Sequence, residues 1–247
     1  MSDRIASKFL AEFIGTFALV FIGAGTAAVV GDGVGLPGIV AIAFAHGLTV
    51  MAFAFAYGSV SGGHVNPAVT VGVLAAGAMG AGEAIGYIVS QLLGGVVGAL
   101  LLRIVLGGAE TGLGTPALAH NLALGVTSLT MTPVAGFMVE AVLGFFLVTV
   151  VLSTAVAGRA GSLAPLAIGM TLTLNILMGG ALTGAAFNPA RALGPMVASG
   201  NFTDAWLYVT APIFGAIVAA VLHIGLGWLA YERAAVQIGR AAKTSAE

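Results

Sequence analysis

Six long apolar segments organise this chain, at about 9–30, 37–58, 82–106, 133–157, 162–182 and 205–230. Each is long enough to cross a bilayer, whose hydrocarbon core takes roughly 20 helical residues. Single chains cross lipid as helices or closed barrels, because lipid offers no partner to a backbone N–H or C=O. Barrels are written in alternating segments of about ten residues, and these runs are longer and do not alternate. The chain therefore reads as an all-α membrane protein with six transmembrane helices. The charge content agrees: 7% of the 247 residues are Asp, Glu, Lys or Arg, against about 25% in soluble domains. The run from Phe9 to Val30 is too long for the apolar region of a cleaved signal, about 7–15 residues.

Charge predicts the orientation. With six spans both termini share one side, where Arg4, Lys8, Arg233, Arg240 and Lys243 fall, as does Arg159 between the fourth and fifth spans. The opposite loops carry Asp32, Glu110 and Asp204, with Arg103 near a span end. The positive-inside rule then places both termini in the cytoplasm. A net charge of -1 gives no nucleic-acid surface. The absence of Cys removes any disulfide framework, thiolate metal site or Cys nucleophile. The 38 glycines follow no collagen period, and in an apolar chain they predict helices packed backbone to backbone.

Two apolar stretches, about 67–77 and 189–198, are too short to cross. Each follows the same tripeptide, Asn66-Pro67-Ala68 and Asn188-Pro189-Ala190. Pro is favoured at the first helical position, with Asn before it as N-cap. Each stretch thus reads as a re-entrant half-helix beginning at its Asn. The preceding segments, Ser61-Gly62-Gly63-His64-Val65 and Thr183-Gly184-Ala185-Ala186-Phe187, read as extended loop.

The chain also repeats. Ala11-Glu12-Phe13-Ile14-Gly15-Thr16-Phe17 in the first span echoes Val139-Glu140-Ala141-Val142-Leu143-Gly144-Phe145 in the fourth. Glu12 precedes Asn66 by 54 positions and Glu140 precedes Asn188 by 48. The chain is read as one domain, 1–247, whose halves, about 1–120 and 121–247, each hold three spans and a half-helix. An odd span number inverts the second half, giving an inverted repeat whose half-helices meet at midplane.

Each helix N-terminus carries about half a positive charge, so two that face each other raise a barrier to cations, hydronium included. The amides of Asn66 and Asn188 would each offer an NH₂ to a passing oxygen. A water accepting from both cannot continue a proton wire. The carbonyls of Gly62, Gly63, His64 and Val65, and of Gly184, Ala185, Ala186 and Phe187, would line the remaining path. Non-helical backbone at this depth is tolerated only beside protein or a water-filled cavity, so the pattern calls for a pore.

With these motifs in hand, the chain resembles the aquaporin (major intrinsic protein) family over nearly its whole length. Ala11-Glu12-Phe13-Ile14-Gly15-Thr16, Ser61-Gly62-Gly63-His64-Val65-Asn66-Pro67-Ala68-Val69-Thr70 and Asn188-Pro189-Ala190-Arg191 carry the resemblance. It implies the hourglass fold of six spans plus two half-helices, and a homotetramer with one pore per subunit. It also implies a selectivity filter at His46, Ile176, Ala185 and Arg191. Water-selective members usually present Phe, His, a small residue and Arg there; here His46 stands in place of Phe and Ile176 in place of His. That set resembles the plant tonoplast intrinsic protein branch, as do Ala119-His120-Asn121, Leu163-Ala164-Pro165-Leu166-Ala167-Ile168-Gly169 and Asn175-Ile176-Leu177. In some members of that branch a His at the position of His120 joins the filter as a fifth residue. Ile176 removes a donor and an acceptor, so the expected cargo is water with ammonia. The alternatives are a strictly water-selective channel or a broader glycerol or urea facilitator. Glycerol-conducting members usually carry Asp after the Arg, where this chain has Ala192.

Glu12 and Glu140 are intramembrane carboxylates, which are costly and rarely idle. A proton relay would make this a secondary transporter; the alternative, which the family resemblance favours, is that they accept backbone N–H groups of the two Asn-Pro-Ala loops. Gln91 reads as similar loop support, His64 as a contributor of a carbonyl to the pore, and His223 as structural. Nothing points to an enzyme: no Ser/His/Asp spacing, metal signature or phosphate loop appears, and no cofactor is called for. The resemblance to the tonoplast branch would fit a vacuolar membrane, whereas the short loops and tails suggest a prokaryotic cytoplasmic membrane.

Overall fold

The computed structural model describes residues 2–31 and 35–227. Asp32, Arg233, Arg240 and Lys243, on which the orientation partly rests, lie outside the described residues, as does the sixth span beyond 227. Among the described residues, six helices have the length and apolarity to cross a membrane: Arg4–Val30, Gly38–Ser61, Ala81–Val105, Pro133–Val156, Gly161–Thr183 and Ala205–Gly225. Their outer faces expose large apolar side chains such as Leu93, Ile104, Val142 and Val221, as a surface solvated by lipid requires.

The two half-helices span Pro67–Ala75 and Pro189–Ser199. Asn66 Oδ1 accepts the Ala68 N–H at 2.8 Å. Asn188 Oδ1 accepts from Ala190 at 3.0 Å and Arg191 at 3.2 Å. These caps satisfy N–H groups that have no partner within the helix. Gly200, at φ 77°, ends the second half-helix in the left-handed conformation, where a side chain would be strained.

Three features were not read from the sequence. The first span carries a π-helical turn at Leu19–Ala24, and the fourth carries one at Leu152–Val156. The connection between the third and fourth spans holds an antiparallel pair of short strands, Leu122–Leu124 with Thr127–Leu129. The loops before the Asn residues also differ from the extended form expected. Gly62, Gly63 and Val65, then Gly184, Ala185 and Phe187, all have positive φ. The physical reason is the buried carboxylate beside each segment, towards which the backbone coils to present its N–H groups.

The first span packs on the third, the fourth on the sixth and the second on the fifth. The half-helices cross over: the first packs on the sixth span, the second on the third. Each half's short helix therefore rests on the last span of the other half. Glycine makes these contacts close. A Cβ added at Gly194 would lie 2.5 Å from the Gly95 oxygen, and one at Gly169 would lie 2.6 Å from that of Gly47.

Candidate functional site

The site is built from the two segments that precede the half-helices. Glu12, fully buried, accepts four hydrogen bonds. Ser61 Oγ donates to Oε1 at 2.7 Å and the His64 N–H at 2.9 Å. The Val65 N–H donates to Oε2 at 2.7 Å, as does Gln91 Nε2. Glu140 is equally buried. Its Oε1 accepts from Thr183 Oγ1 at 2.6 Å and the Ala186 N–H at 3.0 Å, and its Oε2 from the Phe187 N–H at 2.5 Å. Gln91 Nε2 also donates to Thr70 Oγ1 at 3.0 Å, which lies 3.1 Å from His64 Nδ1. Val65 and Phe187, at φ 42° and 28°, hold backbone that disfavours a side chain, at roughly 1–3 kcal/mol each. Charge-assisted bonds of about 1.5–3 kcal/mol offset that strain.

Beyond these segments the two halves bond across the centre. Asn66 Nδ2 donates to the Phe187 carbonyl at 3.0 Å, and Asn188 Nδ2 to the Val65 carbonyl at 2.9 Å. One N–H of each amide is thereby committed to the opposite half. By the same bonds the Val65 and Phe187 oxygens are acceptors already in use. A narrow cavity of about 20 Å³ touches Asn66, Asn188, Val65 and His64, with Leu147 and Ile168 among its apolar walls. It exceeds the roughly 10–15 Å³ that one water needs. It adjoins a vestibule of about 750 Å³ on the side of the N-terminus, bordered by Lys8, Glu83, Tyr87 and His64.

On the other side of the centre lies Arg191, buried to 3% exposure. Its Nε donates to His46 Nε2 at 3.2 Å, and its Nη1 donates to the Gly114 carbonyl at 2.8 Å. A guanidinium only donates, so Nε2 of His46 is the acceptor and the ring proton sits on Nδ1, which donates to the Ile42 carbonyl at 2.8 Å. Both ring nitrogens are engaged by the protein. Ile176 and Ala185 are buried to 1% and share an apolar cluster with Ala43, three residues before His46. His120 is exposed just ahead of the strand pair and is not a partner of Arg191. Its neighbour Ala119 is tied down instead, its N–H bonding the Leu182 carbonyl at 2.9 Å. His223 is buried in the sixth span.

Several participants were not found by sequence reasoning. Tyr87 Oη donates to the Ser61 carbonyl and Tyr208 Oη to the Thr183 carbonyl, each at 2.7 Å. The signal was available, since Tyr87 follows Asn66 by 21 residues and Tyr208 follows Asn188 by 20. Gly114 offers a backbone oxygen, which no residue type announces.

The model of the family described as Major intrinsic protein matches residues 2–223. A probable aquaporin TIP3-2 of Arabidopsis thaliana is 39% identical over 227 residues, covering 87% of this chain and 81% of its own. Aquaporin NIP1-2 of Oryza sativa subsp. japonica is 39% identical over 215 residues, covering 85% and 68%. The X-ray structure of the aquaglyceroporin from Plasmodium falciparum has a TM-score of 0.74 at 24% identity, covering 89% of this chain and 95% of that one. At that identity the likeness speaks for the fold alone. The two sequence relatives are plant proteins and lend no support to a prokaryotic inner membrane.

Proposed function

Because the chain belongs to the major intrinsic protein family, and so is a transmembrane channel and not an enzyme, we propose that it conducts water and ammonia past a ring of His46, Ile176, Ala185 and Arg191. The observation that carries this reading is the engagement of both His46 ring nitrogens, by Arg191 and by the Ile42 carbonyl. The ring then presents the unused N–H donors of Arg191 against the apolar side chain of Ile176. A permeant must accept there but need not donate. Ammonia, with one lone pair, meets that demand. The fixed charge of Arg191 and the facing half-helix N-termini oppose cations, ammonium and hydronium among them.

The proposal includes cytoplasmic termini and a homotetramer with a pore in each subunit. It rests on four filter residues and does not need His120.

Stopped-flow measurements on proteoliposomes test it. Expected are fast osmotic shrinkage and, with an internal pH dye, faster alkalinisation in an inward ammonium gradient than in empty liposomes. Rapid water flux with alkalinisation no faster than in empty liposomes overturns the ammonia reading. Unchanged selectivity in His46→Phe plus Ile176→His shows that the ring lies elsewhere.

A further inference from the structure

We infer that Gly23 is a positioning residue for the filter: its missing side chain gives the His46 ring the space from which Nε2 reaches Arg191. This rests on the reading that the ring of His46 and Arg191 sets selectivity.

Gly23 is buried within the π-helical turn Leu19–Ala24 of the first span. Such turns insert a residue into an α-helix and gather at functional sites. A Cβ built on Gly23 would lie 2.5 Å from His46 Cδ2, 2.7 Å from Nε2 and 2.8 Å from Cγ. Carbon atoms prefer about 3.5–4.0 Å, so a methyl group and the ring cannot keep their present places. Two of those atoms, Cδ2 and Nε2, form the ring edge that faces Arg191 Nε at 3.2 Å. The opposite edge is tethered by Nδ1 to the Ile42 carbonyl at 2.8 Å. Pushed by a methyl, the ring turns about that tether, and the bond to Arg191 is the first to be lost. Arg191 keeps its bond to the Gly114 carbonyl at 2.8 Å but gains freedom to swing within the pore.

The neighbouring Gly25 supplies a control. A Cβ there would meet Leu102 Cδ1 at 3.2 Å, the flexible end of a leucine and well away from the His46 ring. Ala is also a better helix former than Gly, so neither substitution weakens the helix by its own propensity.

The experiment measures water and ammonia permeability per incorporated protein for wild type, Gly23→Ala, Gly25→Ala, His46→Ala and the double variant Gly23→Ala with His46→Ala. Gly23→Ala is expected to shift the ammonia-to-water ratio by about threefold or more, the Boltzmann factor of an off-rotamer ring. Gly25→Ala is expected to match wild type. His46→Ala shifts the ratio by itself, and adding Gly23→Ala to it changes nothing further, because the methyl then has space; that non-additivity is the signature of a contact. An unshifted Gly23→Ala beside a shifted His46→Ala overturns the role of Gly23 and leaves the filter reading standing. Equal shifts from Gly23→Ala in both backgrounds overturn it as well. If His46→Ala leaves the ratio unchanged, the filter reading fails and this inference with it. If Gly23→Ala incorporates poorly, recovery in the double variant supports a clash with the ring, and failure to recover overturns it.

Discussion

Replacing Glu140 by Gln keeps the volume of the side chain and changes only what its second oxygen can do. Three donors converge on the carboxylate: the Thr183 hydroxyl and the N–H groups of Ala186 and Phe187. An amide has one oxygen. The Thr183 hydroxyl can turn and accept, but a backbone N–H cannot. Whichever way the amide is placed, Ala186 or Phe187 then faces an NH₂ group and is left buried without a partner. Losing a charge-assisted bond costs about 1.5–3 kcal/mol and the orphaned donor about 1–3 more. Removing a buried charge returns part of this, so about 3 kcal/mol is the working figure. At 1.4 kcal/mol per tenfold, this shifts the local equilibrium of the segment by about two orders of magnitude. The segment is already strained, with Ala185 and Phe187 at φ 42° and 28°, and Phe187 supplies the oxygen that holds Asn66. Water permeability per incorporated protein, measured by stopped-flow light scattering, is expected to fall more than about tenfold. A flux within about twofold of wild type, at equal incorporation, refutes the view that the carboxylate holds this segment in its conducting form.

Tyr87→Phe and Tyr208→Phe each remove one hydrogen bond to a loop carbonyl, worth about 0.5–1.5 kcal/mol; thermal unfolding in detergent should show a small loss of stability, with flux retained. Lys8→Ala removes the 2.6 Å pair with Glu83, whose side chains are 35% and 28% exposed; such pairs contribute about 0–1 kcal/mol, so unfolding temperature and water flux should stay near wild type. Gly95→Ala places a Cβ 2.6 Å from the Ala190 oxygen, whereas Gly82→Ala meets nothing within 4 Å; size-exclusion profiles should show loss of folded protein for the first and none for the second.

The spans were legible because length and apolarity alone decide them. The fourth, read as 133–157, is Pro133–Val156. The half-helices were legible because Asn-Pro is a strong start signal, and they begin at Pro67 and Pro189. The π-helical turns were not legible. A π turn changes the register of backbone hydrogen bonds by one residue, and in spans apolar on every face no periodicity records that shift. The bond from Gly114 to Arg191 was hidden for another reason: a loop carbonyl 77 residues away in sequence is chosen by the fold and not by side-chain chemistry. Asn66 and Asn188 could be placed at the centre from the sequence, but not the commitment of one N–H of each to the opposite half. That commitment needs the carbonyls of Val65 and Phe187 to turn inward, which only their positive φ reveals.

Matching positions in the two halves carry out the same construction. Glu12 and Glu140 gather the loops, Ser61 and Thr183 tie them, and Tyr87 and Tyr208 close them from the last span of each half. Mismatched positions are therefore where the two ends of the pore acquire different chemistry. Three residues past Asn188 stands Arg191, whereas three past Asn66 stands Val69, so the second half-helix carries a cation in its first turn and the first half-helix does not. Two residues before Asn66 stands His64, with its ring edge-on to Tyr87 at 5.2 Å, whereas two before Asn188 stands Ala186. Four residues past Tyr87 stands Gln91, which bonds Glu12, whereas four past Tyr208 stands Pro212. Glu140 accordingly accepts one bond fewer than Glu12, and the loop it holds is the one that leads to Arg191. It follows that substitutions which loosen a loop should disturb selectivity more in the second half than in the first. Comparing Glu140→Gln with Glu12→Gln for their ammonia-to-water ratios, at equal incorporation, decides the point, and equal ratios in the two variants count against it.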